Sequence, residues 1–278
     1  PPEAGAIQPS FIELDGEGSA TVTFTSDTTR SAVSVNAQAS PPIEVEGISF
    51  MIEKILLFTD PPAPEPDPAH NSIPQMDLTT VTLSNTSEAI NINTAFDTDF
   101  SGVHIIVLLE TGYGGAGYGG TSDPFGFPVS YLHPDKPDFA LTYKYSSDDY
   151  ADLRFWDGEW VWWDDGAGEY RNQSQGWVEG VNIQSSWITR EAGSVKFSIP
   201  LYIFESLGYP DSLGVQVYIT QEEDTKRSAF DSAPHDSTLD IDFDPFSPDA
   251  DWSITETPVE LRYYSERYPL KLDFPDPP

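Results

Sequence analysis

Apolar and polar residues alternate with a period of two along much of this chain, and the alternating runs are broken by Gly, Pro, Asn and Asp. Alternation of that period places side chains on opposite faces of an extended strand, and it excludes a helical fold. Ser19–Thr25 puts Ala20, Val22 and Phe24 on one face, and Thr79, Val81 and Leu83 alternate with Thr80 and Thr82. Ile48–Phe58 is a near-continuous apolar stretch, interrupted by Glu53-Lys54, that reads as a central strand, and Val103–Leu109 is an apolar run with one His that reads as a further strand. Further strands are expected over Ala89–Phe96, Phe139–Tyr145, Ala151–Trp156, Glu159–Trp163, Gly176–Ile183, Ser194–Ile199, Gly214–Thr220, Thr238–Phe243 and Val259–Tyr264. The one helical segment is Pro200–Gly208, with Pro200 suited to a first helical position and Gly208 to a left-handed stop. Strands joined by turns predict an all-β protein, an antiparallel β-sandwich of jelly-roll type with long Pro- and Gly-rich loops and one short helix. Residues 1–40 read as an N-terminal arm, a donor strand or edge hairpin, and 41–278 as the sandwich with a Pro-rich tail.

The 278 residues hold 13 Lys and Arg against 46 Asp and Glu, a formal net charge of −33. Such a charge repels nucleic-acid phosphates and anionic membranes, so neither is an expected partner. With 0 Cys there is no disulfide, thiolate nucleophile or Cys-bound metal. No stretch approaches the ~20 apolar residues that cross a bilayer, so membrane insertion is not expected. The opening Pro1-Pro2-Glu3 and the sequons at Asn85 and Asn172 fit an exported chain from which a signal peptide has been removed, placing it outside the cell or on its surface.

Histidine is limited to His70, His104, His133 and His235, and no metalloprotease or nucleophile-elbow pattern contains them. Carboxylates are the better metal candidates. Asp240, Asp242 and Asp244 share a face of a strand, Asp148 and Asp149 stand near Asp152, and Asp164 and Asp165 near Glu169. Oxygen donors at turns suit Ca²⁺, which takes six to eight such ligands; solvated surface charge is the alternative for each cluster. Arg154–Trp163 holds four of the 7 Trp around an Asp157-Gly158 turn. Trp160 and Trp162 lie on one face, Val161 and Trp163 on the other. One face is core. The second is core as well, an anchor for a neighbouring chain, or a platform for sugar rings, with Tyr113 and Tyr118 of the glycine-rich loop 112–120 beside it. A glycosidase pair of carboxylates is not supported by any further pattern, so no enzyme is expected.

The stretch from Asp77 to Asp244 resembles the DOMON-like, carbohydrate-binding-type β-sandwich domains of archaeal and thermophilic pullulanases, amylases and glucodextranase. Its carriers are Met76-Asp77-Leu78, Pro137–Thr142, Arg154–Trp160, Val195–Pro200 running into Leu207-Gly208, and Asp231–Asp236. The resemblance implies a sandwich without catalytic residues. Residues 1–40 and 250–278 lie outside it. In general plan the chain also resembles the acidic, Cys-free β-sandwich subunits of archaeal extracellular filaments and tubes. The leading expectation is therefore an extracellular structural protein that assembles with itself. The apolar face Ile12, Leu14, Ala20, Val22 and Phe24 would be donated to the next subunit, and Ca²⁺ would bridge the acidic clusters. The alternative is a non-catalytic α-glucan-binding module that uses Trp160, Trp162, Tyr113 and Tyr118.

Overall fold

The computed structural model describes the side chains of residues 78–95, 103–145, 150–172, 186–222, 225–234, 256, 258–262 and 264–270, and the backbone of further strands between residues 5 and 59. The chain divides into two compact units, Pro1–Leu56 and Leu57–Pro278. In the first, β1 (Gly5–Gln8) pairs antiparallel with β2 (Thr23–Ser26), and β3 (Ser31–Val35) with β4 (Ile48–Ile52). The β3–β4 pair joins residues on both sides of the expected boundary at 40.

The second unit is an antiparallel sandwich. One sheet runs β14 (Ile188–Glu191), β15 (Ser194–Pro200), β7 (Ala89–Phe96), β6 (Leu78–Asn85), with β5 (Leu56–Thr59) at its edge. The other runs β13 (Glu169–Arg171), β12 (Trp160–Asp164), β11 (Tyr150–Trp156), β10 (Phe139–Tyr145), β8 (Val103–Glu110), β16 (Ser212–Gln221), β17 (Asp231–Ala233). Alternation decides which side chains face the core. Register places Val81 and Leu83 beside Thr94 and Ile92, and these beside Val195 and Phe197; all six are fully buried. Thr80, Thr82, Asn91, Asn93 and Lys196 take the other face. Against them the larger sheet presents Val107, Leu141, Leu153 and Val217 in one row, and Leu109, Phe139, Phe155 and Val215 in the next. The sheets meet ring to ring, Tyr143 on Phe197 at 6.2 Å and Phe139 on Phe204 at 5.1 Å. Each such fully buried apolar side chain contributes roughly 1.5–3 kcal/mol.

β8 is buried at all eight positions, which one core cannot explain. Its second face is covered by the loop 121–133. Within that loop β9 (Val129–Tyr131) pairs parallel with β18 (Val259–Leu261). Asp123 fastens this cover. Its carboxylate accepts from the Tyr218 hydroxyl at 2.6 Å, the Tyr131 hydroxyl at 3.0 Å, and the backbone N–H of Phe125 and Phe127 at 2.8 and 2.9 Å. Tyr218 lies on the outer face of β16, so these bonds join loop to sheet. β19 (Tyr268–Pro269) pairs with the start of β16.

The expected helix over Pro200–Gly208 is a single 3-10 turn, Leu201–Phe204. Pro200 ends β15 and caps the turn rather than opening a helix, and Gly208 adopts φ 90° at the stop. Leu201, Ile203 and Phe204 are all drawn into the core, which a tight turn permits and a longer α-helix would not.

Candidate functional site

The β6–β7 turn and the 3-10 turn after β15 lie side by side. Thr86 shapes the first: its hydroxyl accepts from the N–H of Glu88 at 3.2 Å and of Ala89 at 3.1 Å, while its own N–H donates to the Ala89 carbonyl at 2.8 Å. This is the local bonding that favours Thr in turns. The Leu201 N–H then donates to the Glu88 carbonyl at 2.8 Å and holds the two turns together. Between them is a groove of 440 Å³ lined by Ser87, Glu88, Pro200, Leu201, Tyr202 and Tyr209. Tyr202 is 47% exposed and Tyr209 38%, two of the three large apolar side chains described as exposed.

Tyr202 is exposed but fixed. Its hydroxyl donates to Asp165 Oδ1 at 2.8 Å, and the same oxygen accepts from Trp163 Nε1 at 3.0 Å. Its ring touches Trp163 at 6.0 Å and Trp187 at 6.2 Å. Trp163 rests on Tyr170 at 4.9 Å, and Tyr170 on Phe155 at 5.1 Å. The exposed ring therefore ends an aromatic chain rooted in the core. Burial and the Asp165 charge push its phenol up to about 12, so it is neutral and donating at pH 7. A rigid ring beside the Glu88 carboxylate and the Ser87 hydroxyl offers a stacking surface with hydrogen-bonding groups at its rim.

A second cavity, of 380 Å³, opens on the outer face of the larger sheet. Cross-strand register sets Lys144 between His104 on β8 and Tyr150 on β11. Arg154, two rows along, lies 5.8 Å from the Phe125 ring and 5.5 Å from the Trp162 ring. It holds Asp152 through Nη2 at 2.6 Å and Nε at 2.7 Å. Lys226 donates to the Phe125 carbonyl and lies 3.9 Å from Glu222. His104 Nδ1 meets Thr142 Oγ1 at 3.3 Å, and Nε2 lies 3.4 Å from Glu222. Burial, with Lys144 and Lys226 nearby, lowers His104 to about 4, so the imidazole is neutral at pH 7.

Of the expected metal residues, Asp148, Asp149, Asp240, Asp242 and Asp244 lie outside the described residues. Asp152 is taken by Arg154, and Arg171 lies 2.9 Å from Asp164 and 3.3 Å from Glu169. Asp165 orients Tyr202. Among the described residues no three of His, Cys, Asp and Glu converge on a metal position. Of the expected donor face, Ile12, Leu14, Ala20 and Val22 lie outside the described residues, and Phe24 sits in β2 opposite Ile7 of β1.

The segment expected to carry the sugar platform forms a hairpin, with Gly158 at φ 81° in its turn. Its rings are largely covered. Trp162 is 4% exposed and Trp163 3%, the latter on the face that carries Phe155 into the core. Trp160 donates to the Ser122 carbonyl at 3.0 Å and packs so closely on Gly120 that a Cβ there would sit 2.0 Å from the indole. Tyr113 and Tyr118 are half-buried and pack on each other at 6.0 Å, with Tyr113 also against Phe155 at 5.1 Å. Sequence reasoning missed Tyr202 and Tyr209. The signal for Tyr202 is an aromatic residue set between the core positions Leu201 and Ile203 where no strand can continue. Comparison with protein-family models, with curated proteins and with solved structures finds no match to this chain.

Proposed function

We propose that this chain is a non-catalytic carbohydrate-binding module of the DOMON-like kind, acting outside the cell, whose Tyr202–Tyr209 groove stacks on the rings of an α-glucan. The observation that carries this reading is the exposed yet immobilised Tyr202, held by Asp165, Trp163 and Trp187. A ring already held in one orientation loses little conformational freedom when a ligand stacks on it. Glu88 and Ser87 supply acceptors and a donor for sugar hydroxyls. The choice of an α-glucan rests on the resemblance of residues 77–244 to the domains of amylases and pullulanases. Calorimetric titration of the full chain with maltoheptaose tests it. Tyr202→Ala is expected to weaken binding at least tenfold, about 1.4 kcal/mol, with the fold checked by circular dichroism. Unchanged affinity in both Tyr202→Ala and Tyr209→Ala rejects the groove.

A second reading, self-assembly by strand addition with Ca²⁺ between acidic clusters, is favoured by one observation. Among the described residues, the unit Pro1–Leu56 holds the two-stranded ribbons β1–β2 and β3–β4, and such ribbons are marginal alone in water and gain from a covering chain. Electron microscopy of the full chain with and without millimolar Ca²⁺ tests this reading. Ordered polymers support it, and dispersed particles in both conditions reject it.

A further inference from the structure

The outer-face cavity carries a charge pattern opposite to that of the molecule. The chain has 13 cationic residues against 46 anionic ones, yet Lys144, Arg154 and Lys226 all line this one cavity. Asp152 occupies two nitrogens of Arg154, and Glu222 stands at the long distance of 3.9 Å from Lys226. No carboxylate pairs with Lys144 among the described residues. His104 beside it is neutral at pH 7. Three cations therefore face two carboxylates, and the remaining positive charge sits at Lys144.

The rest of the lining narrows the ligand. Phe125, Phe127 and Tyr150 supply flat apolar walls; Thr142 and Glu222 supply groups that bond hydroxyls. A nucleic acid or other dense polyanion is excluded by the −33 background. A small anion alone would leave the aromatic walls unused. The cavity volume of 380 Å³ accommodates about one to two sugar rings. We infer that this cavity is a second binding site, independent of the Tyr202–Tyr209 groove, for a sugar bearing a carboxylate, a uronic acid unit whose charge meets Lys144 and Arg154 while its ring lies against Phe125 and Tyr150.

The test is calorimetric titration of the full chain with the methyl glycoside of galacturonic acid, which carries one carboxylate, and with its methyl ester, which keeps the shape and removes the charge. EDTA is present, so that no cation bridges the two anionic partners. The acid is expected to bind at least tenfold more tightly than the ester, and more weakly as salt rises. Lys144→Gln is expected to abolish that preference, Lys144→Arg to restore it, and Tyr202→Ala to leave it untouched. Lys144 is half-exposed, so these changes spare the core. Equal affinity for acid and ester, or no binding of either, overturns the assignment. So does binding of a peptide spanning Thr238–Phe246 where the acid sugar fails, since the occupant is then an acidic protein segment.

Discussion

His104 on β8 and Asp123 in the loop that covers it are two buried ionisable side chains, and burial moves them in opposite senses. His104 falls from 6.5 to about 4, so between those values the unfolded chain takes up a proton that the folded chain refuses. The contribution of the neutral imidazole is complete above pH 6.5 and is lost as pH falls through about 4. The full loss is on the order of 3 kcal/mol. The melting temperature of the native chain should therefore approach, and then fall below, that of His104→Gln as pH drops from 7 to 4; a constant difference contradicts it. Burial raises Asp123 in spite of its four donors. Its contribution is greatest below the usual carboxylate value and is lost as pH rises through its folded value. The native chain should gain stability relative to Asp123→Asn on acidification. At neutral pH that variant should still be the weaker by about 1–3 kcal/mol, because its one amide oxygen can accept from the Phe125 and Phe127 N–H groups but the N–H₂ then facing Tyr131 and Tyr218 cannot accept from their hydroxyls. Neither behaviour was legible in sequence. His104 was readable as a residue inside an apolar strand, but Lys226 comes from far along the chain.

The strands were legible where their pattern was regular. Val81 and Leu83 against Thr80 and Thr82 give an inner and an outer face directly. The apolar run Val103–Leu109, with His104 inside it, was legible as a strand; the burial of β8 at all eight positions was not read from it. The segment that does the covering was hidden, because 121–133 carries turn residues and its strand is only Val129–Tyr131. The Trp160–Trp163 alternation was readable, while the covering of its outer rings was not: Gly120 receives Trp160 through a contact made across 40 residues of chain. Gly120→Ala should displace that indole, lowering the melting temperature and shifting tryptophan fluorescence to the red, whereas Gly158→Ala is strained only by its φ of 81° and should leave the emission unchanged. Identical emission from native and Gly120→Ala protein would contradict this packing.

At the scale of the molecule, the excess of negative charge explains why cations matter where they gather. Arg154 and Arg171 neutralise buried Asp152 and Asp164, which removes those carboxylates from the set open to a metal. Calcium bridging between chains, if it is the basis of assembly, must use the remaining acidic groups. Millimolar Ca²⁺ should then raise the light scattering of the full chain and EDTA reverse it; scattering indifferent to both removes the assembly reading. The groove reading makes a separate demand. Titrating the chain, labelled at its tyrosine rings, with maltoheptaose and following the ring signals by nuclear magnetic resonance distinguishes the groove from the rest of the surface. The account predicts that Tyr202 and Tyr209 shift with saturation while Tyr113, Tyr118 and Tyr150 stay in place. Shifts at Tyr113 and Tyr118 alone, or at no tyrosine, would contradict it.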